Sequence, residues 1–171
     1  MSVTIAARDF EATSTRLDLA DCGLGVDSPA AMRELATALP TMPHLNELDL
    51  SRNALCEDAE LGEFAGLLPV LAACGSLMSL NLAGCGLGTD AASLLADSVV
   101  RHRDGLAAAS WPTLRSLSVS GNPKIRDQGM VPLLGSLSGR QLDSLDLSEC
   151  GLGPPRYGRS IAALHCCAQL L

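Results

Sequence analysis

Aromatic residues are nearly missing from this 171-residue chain: one Trp, one Tyr and two Phe make up 2 % of it. Hydrophobic residues nevertheless reach 47 %, so a core has to be assembled from Leu, Ala, Val and Cys. That supply suits thin repeated layers better than one thick globule. Cations are scarce too. Twelve Lys and Arg against nineteen Asp and Glu give a net charge of −7, and the cations are scattered. Nucleic acid is disfavoured as a partner, because phosphate binding depends on clustered cations that release counterions. No run of about 18 apolar residues occurs, so no membrane span is expected. The opening stretch MSVTIAARDFE has neither a basic n-region nor an apolar h-region, and the chain reads as intracellular and cytoplasmic.

Chemistry-bearing patterns are equally thin. There is no GxSxG, HExxH or Walker loop, and His44, His102 and His165 lie in different segments where nothing brings them together. No catalytic residue, metal ligand or cofactor is assigned. Cysteine is plentiful at seven, but the number is odd, Cys166 and Cys167 are adjacent, and no CxxC pair offers zinc spacing. Without a secretory signal the cysteines are expected to be reduced thiols.

What the sequence does have is an internal repeat. Leu45 to Leu55 (LNELDLSRNAL), Leu77 to Leu87 (LMSLNLAGCGL), Leu114 to Ile125 (LRSLSVSGNPKI) and Leu142 to Leu152 (LDSLDLSECGL) all follow L-x-x-L-x-L-x-x-N/C-x-L, with one extra residue before Ile125. A fifth copy, Ser14 to Leu24 (STRLDLADCGL), has serine for the first leucine. In LxLxx, alternating leucines such as Leu48 and Leu50 face one side of a short strand while Glu47, Asp49 and Ser51 face the other. Between copies the apolar period becomes helical. Met32, Leu35, Ala36 and Leu39 are spaced 0, 3, 4, 7, as are Leu61, Phe64, Ala65 and Leu68; Ala92, Leu95, Ala96 and Val99; and Met130, Leu133, Leu134 and Leu137. Ser28 before Pro29 and Thr89 before Asp90 are expected to cap two of these helices.

This pattern resembles the leucine-rich repeat family, and the resemblance covers Ser14 to Leu170. Copy-to-copy spacings of 31, 32, 37 and 28 residues look like the ribonuclease-inhibitor-like class, in which a full helix follows each strand. The resemblance implies an α/β solenoid, a horseshoe segment with a parallel sheet on the concave face and helices on the convex face. It also implies that Cys22, Asn53, Cys85, Asn122 and Cys150 form an internal ladder. Residues 1–13 are expected to be an N-terminal cap or flanking segment, with the repeats over 14–171. A last helix is expected from Tyr157 to about Cys166, and a sixth repeat would begin near Leu170. Since the chain stops without a polar cap, that end is expected to be covered by another chain or by further repeats.

Function then falls to the open strand face. Its middle column reads Asp18, Asp49, Asn81, Ser118 and Asp146. Arg16, Glu47, Ser79, Ser116 and Ser144 flank it on one side, and Ala20, Ser51, Ala83, Ser120 and Ser148 on the other. Such a small, polar, mildly acidic surface suits a protein partner with a basic segment, in a scaffold or regulatory subunit without chemistry of its own. Alternatives are a GTPase-activating regulator, for which the Ran-activating family is similar in repeat length, or the repeat appendage of a signalling or ubiquitin-ligase assembly. The string Gly86-Leu87-Gly88-Thr89-Asp90-Ala91 imitates a dinucleotide fingerprint, but CGLG recurs at Cys22, Cys85 and Cys150 and belongs to the repeat. The insertion around Arg101 to Ser110 extends one loop edge, and Trp111 after it shares an apolar column with Met42, Cys74 and Cys167.

Overall fold

A computed structural model describes residues 2–25, 28–56, 61–100 and 111–153. Residues 101–110 with His102, the residue His165, the expected helix over 157–166 and the start of a sixth repeat lie outside the described residues.

Each repeat copy contributes a three-residue strand, and the five strands pair in parallel in chain order. They are β3 (Arg16–Asp18), β4 (Glu47–Asp49), β5 (Ser79–Asn81), β6 (Ser116–Ser118) and β7 (Ser144–Asp146). The register sets Leu17, Leu48, Leu80, Leu117 and Leu145 side by side. Strands stop this soon because the eighth position of every copy takes a left-handed φ, at Asp21, Arg52, Gly84, Gly121 and Glu149. Only two of those five are glycine, so the turn is imposed by the ladder around it rather than by intrinsic preference.

After the strands come α1 (Pro29–Ala38), α2 (Gly62–Ala73), α3 (Thr89–Val100) and α4 (Arg126–Leu137). Each helix packs on the next, α3 and α4 most extensively. Strands sit about 4.8 Å apart while packed helices need 8–10 Å, so a stack of such units bends with its sheet on the inside. The apolar stripes face that sheet. Leu35, Phe64, Leu95 and Leu133 are at most 2 % exposed, and the second leucine column, Leu19, Leu50 and Leu82 with Val119, is fully buried.

Two details differ from the sequence reading. Ser28 precedes Pro29 as expected, but its side chain makes no capping bond. Thr89 is itself the first helical residue, and its hydroxyl donates to the Ile125 carbonyl at 3.1 Å. It therefore fastens one repeat to the next instead of capping its own helix. Trp111 is 3 % exposed, its backbone N–H donating to the Ala72 carbonyl and its indole N–H to Ser98 Oγ at 3.2 Å. At the N-terminal side, β1 (Ser2–Ile5) and β2 (Arg8–Glu11) form an antiparallel hairpin that packs on α1 and buries Ile5 completely.

Candidate partner-binding face

Where the chain leaves each strand, backbone groups turn into the layer between repeats and need partners. Asn53 Oδ1 accepts the N–H groups of Cys22 at 2.9 Å and Leu24 at 3.0 Å in the preceding copy. Its Nδ2 donates to the carbonyls of Leu19 and Leu50, both at 2.8 Å. Asn122 repeats the arrangement one pair further on, accepting from Cys85 and Leu87 and donating to Leu82 and Val119. The cysteines close the other layers with a single donor each. Cys85 Sγ donates to Leu50 O at 3.1 Å and Cys150 Sγ to Val119 O at 3.2 Å, while Cys22 Sγ reaches Ala20 O of its own copy at 3.3 Å.

Asn and Cys thus alternate along the stack, and the residue after them alternates with them. Gly23, Gly86 and Gly151 follow the cysteines at φ of 66°, 71° and 68°, whereas Ala54 and Pro123 follow the asparagines. A Cβ on Gly86 would stand 2.6 Å from the Cys56 carbonyl oxygen, so this glycine is required by its neighbour as well as by its φ. The resemblance to a dinucleotide fingerprint is accounted for by that packing. Burial pushes the Cys85 thiol up to about 12, and burial with the nearby Cys85 sulfur does the same to Cys56. The five described cysteines, Cys22, Cys56, Cys74, Cys85 and Cys150, are unpaired.

The outward column works differently from what its charges alone imply. Asp18, Asp49, Asn81 and Asp146 each accept, through Oδ1, the N–H two residues on, at 3.1, 2.9, 3.0 and 3.0 Å. Ser118 Oγ sits 3.5 Å from the Ser120 N–H in the equivalent place. These are side-chain turns that satisfy the donor at the strand exit. An Asp or Asn two residues before the strand exit carried that signal, and a reading based on charge passes over it.

Burial tends to raise the Asp49 carboxyl, but the hydroxyl and N–H of Ser51, the Asn81 amide and Arg16 together hold it below its ordinary value. Asp146 is lowered chiefly by the Ser148 hydroxyl and N–H. Both carboxylates are therefore ionised at neutral pH.

Most of the expected face residues do share one surface. Arg16, Asp18, Glu47, Ser144, Asp146 and Ser148 are exposed, and Asp49, Ser79, Asn81, Ser116 and Ser118 are half-buried. Ser51 is the exception at 7 % exposure. Its side chain is covered where that of Ser148, which accepts the equivalent backbone bond, is not, so Ser51 does not belong to the open face. Arg16 and Glu47 approach to 3.7 Å with more than half of each side chain in solvent, a pair that contributes little to stability.

Among the described residues no cluster of His, Cys, Asp and Glu could hold a metal ion, and His44 is exposed on the turn before β4. No helix among them is long and apolar enough to cross a membrane.

A parallel sheet built from LxLxx strands, with an Asn/Cys ladder and one helix per unit, defines a leucine-rich-repeat protein. The Leucine-rich repeat domain family matches residues 12–159, and the chain belongs to that family. It is 32 % identical over 170 residues to Tonsoku-like protein from Bos taurus, covering 96 % of this chain and 11 % of the bovine protein. It is also 32 % identical over 106 residues to Ran GTPase-activating protein 1 from Xenopus laevis, covering 61 % of this chain and 18 % of the frog protein. The chain thus spans less than a fifth of the length of either relative.

Proposed function

We propose that this chain is an intracellular protein-interaction module that binds its partner on the open face of the β3–β7 sheet and performs no chemistry itself. The observation that carries this reading is the division of labour in the strands. Inward leucines are spent on the core and ladder residues on the turns, which leaves a continuous, curved strip of small polar side chains that no other element covers among the described residues. Repeat proteins use such strips for recognition. The strip holds Asp18, Asp49 and Asp146 against Arg16, with Glu47 already paired to that arginine, so a partner with a basic segment is favoured over an acidic one. An acidic strip also disfavours nucleic acid.

The test is capture from the source cell with wild-type chain and with an Asp49→Asn, Asp146→Asn variant. Asparagine keeps the oxygen that accepts the turn N–H and removes only the charge. A partner held by the first and released by the second supports the face; one held equally by both removes it from candidacy.

A second reading, a GTPase-activating regulator, is supported by the similarity to Ran GTPase-activating protein 1. Single-turnover GTP hydrolysis by Ran with and without this chain separates the two. Acceleration would establish the second reading, and an unchanged rate would leave the binding module.

A further inference from the structure

The charge on the open face is not spread evenly. In the second repeat copy the outward and turn positions carry Glu47, Asp49 and Arg52, and in the fifth they carry Asp146 and Glu149. At the same positions the two copies between them carry no charge, the nearest cation in them being Arg115 immediately before β6. Their outward positions are Ser79, Asn81 and Ala83, then Ser116, Ser118 and Ser120, and both turn positions are glycine, Gly84 and Gly121. No side chain in this stretch is longer than asparagine. The centre of the face is therefore a shallow neutral trough with an ionised carboxylate standing on either side.

The sheet register fixes the width of that trough. Asp49, Asn81, Ser118 and Asp146 lie opposite one another in successive strands, so the carboxylates are three strand steps apart. At about 4.8 Å per step this is about 14 Å. An extended chain rises about 3.3 Å per residue and sends alternate side chains to the same side, so positions i and i+4 share a face about 13 Å apart. A helix is a poorer match, because a cylinder about 10 Å across needs apolar contacts to dock and this floor offers only the Ala83 methyl. An extended backbone instead presents N–H and C=O groups that serine and asparagine side chains can pair with.

Resting on the docking reading above, we infer that the partner segment is an extended chain lying across the strands, with basic side chains at i and i+4 meeting Asp49 and Asp146 and a small residue at i+2 passing over Asn81 and Ser118. The recognised chemistry is the cation spacing, not bulk positive charge.

The test uses the full chain, labelled with nitrogen-15, and synthetic Gly/Ser peptides of about nine residues carrying two lysines four, five or six positions apart. The amides of Ser51 and Ser148 report directly, since each donates to one of the two carboxylates. At low ionic strength, where exposed charge pairs are least screened, the spacing-four peptide is expected to bind about fivefold or more tightly than the spacing-five peptide, whose lysines point to opposite sides. That preference should vanish in the Asp49→Asn, Asp146→Asn variant. Equal affinity at all three spacings, absence of binding, or a preference for spacing six, the span from Asp18 to Asp146, would each overturn the inference. Equal affinities with shifts confined to the strand face would leave the docking reading standing, whereas shifts confined to the helices would remove both.

Discussion

Asn122 Oδ1 lies 2.9 Å from the backbone nitrogen of Cys85, a residue of the preceding repeat, and 3.0 Å from that of Leu87. One fully buried side chain thus completes the turn of its neighbour while its Nδ2 satisfies carbonyls on both sides of the layer. Asn122→Ala takes the side-chain acceptor from two N–H groups and the amide donor from the Leu82, Val119 and Ser120 carbonyls at once. Buried donors and acceptors left unmade cost about 1–3 kcal/mol each, so a loss of about 3 kcal/mol or more is expected in urea unfolding. A loss under about 1 kcal/mol would mean that water enters the layer and takes over those bonds.

The alternation of Cys-Gly with Asn turns gives a second outcome. Gly86→Ala must hold an L residue at φ +71° with its Cβ against the Cys56 carbonyl, and is expected to destabilise by about 2 kcal/mol or more. Gly66, exposed in α2 with nothing within 4 Å of where an alanine methyl would stand, is the control. Gly66→Ala should stabilise by about 1 kcal/mol, since alanine is the better helix former there. Thermal melts of the two variants, moving in opposite directions, check both.

Acid sensitivity follows from the face carboxylates. The folded-state pKa of Asp49 lies below its ordinary 3.8, so the unfolded chain binds more protons in the interval between the two. The contribution to stability is present above that ordinary value and is lost as pH falls through the folded value. Asp146 acts in the same direction. Asp49→Asn should therefore reduce the difference in urea midpoint between pH 6 and pH 3. An unchanged difference would show that other carboxylates carry the acid limb.

Thiol reactivity divides the described cysteines. Cys56 and Cys85 are buried with their thiols pushed up to about 12, so in the native state they should resist maleimide at pH 7.5 and react only after unfolding. Half-buried Cys22 should label ahead of them. Mass spectrometry of a labelling time course reads the order, and early modification of Cys85 would contradict the buried ladder.

The leucine columns were legible because their period survives any choice of surface residues: once Leu48, Leu80, Leu117 and Leu145 are set in register, strand order and the buried face follow. Helix positions followed from the 0, 3, 4, 7 spacing for the same reason. The individual bonds were not legible. Thr89 looks like a cap in sequence because its hydroxyl precedes an acidic first turn, and only the next repeat, 35 or so residues on, supplies the carbonyl it actually reaches. Ser51 looks outward by parity, yet it is buried where Ser148, at the same position and with its hydroxyl on Asp146, stays exposed; parity does not report how closely neighbouring copies enclose a side chain. Left-handed turns at Asp21, Arg52 and Glu149 carry no glycine to announce them.

The measurement that bears most directly on the account is the affinity of the captured partner for two variants whose folding is verified by circular dichroism, Ser118→Arg in the middle of the strand face and Val131→Arg at an exposed position of α4. Loss of binding with the first and wild-type affinity with the second is the predicted result. Full affinity with Ser118→Arg would take the partner off the strand face, and loss confined to Val131→Arg would place it on the helices; either contradicts the account.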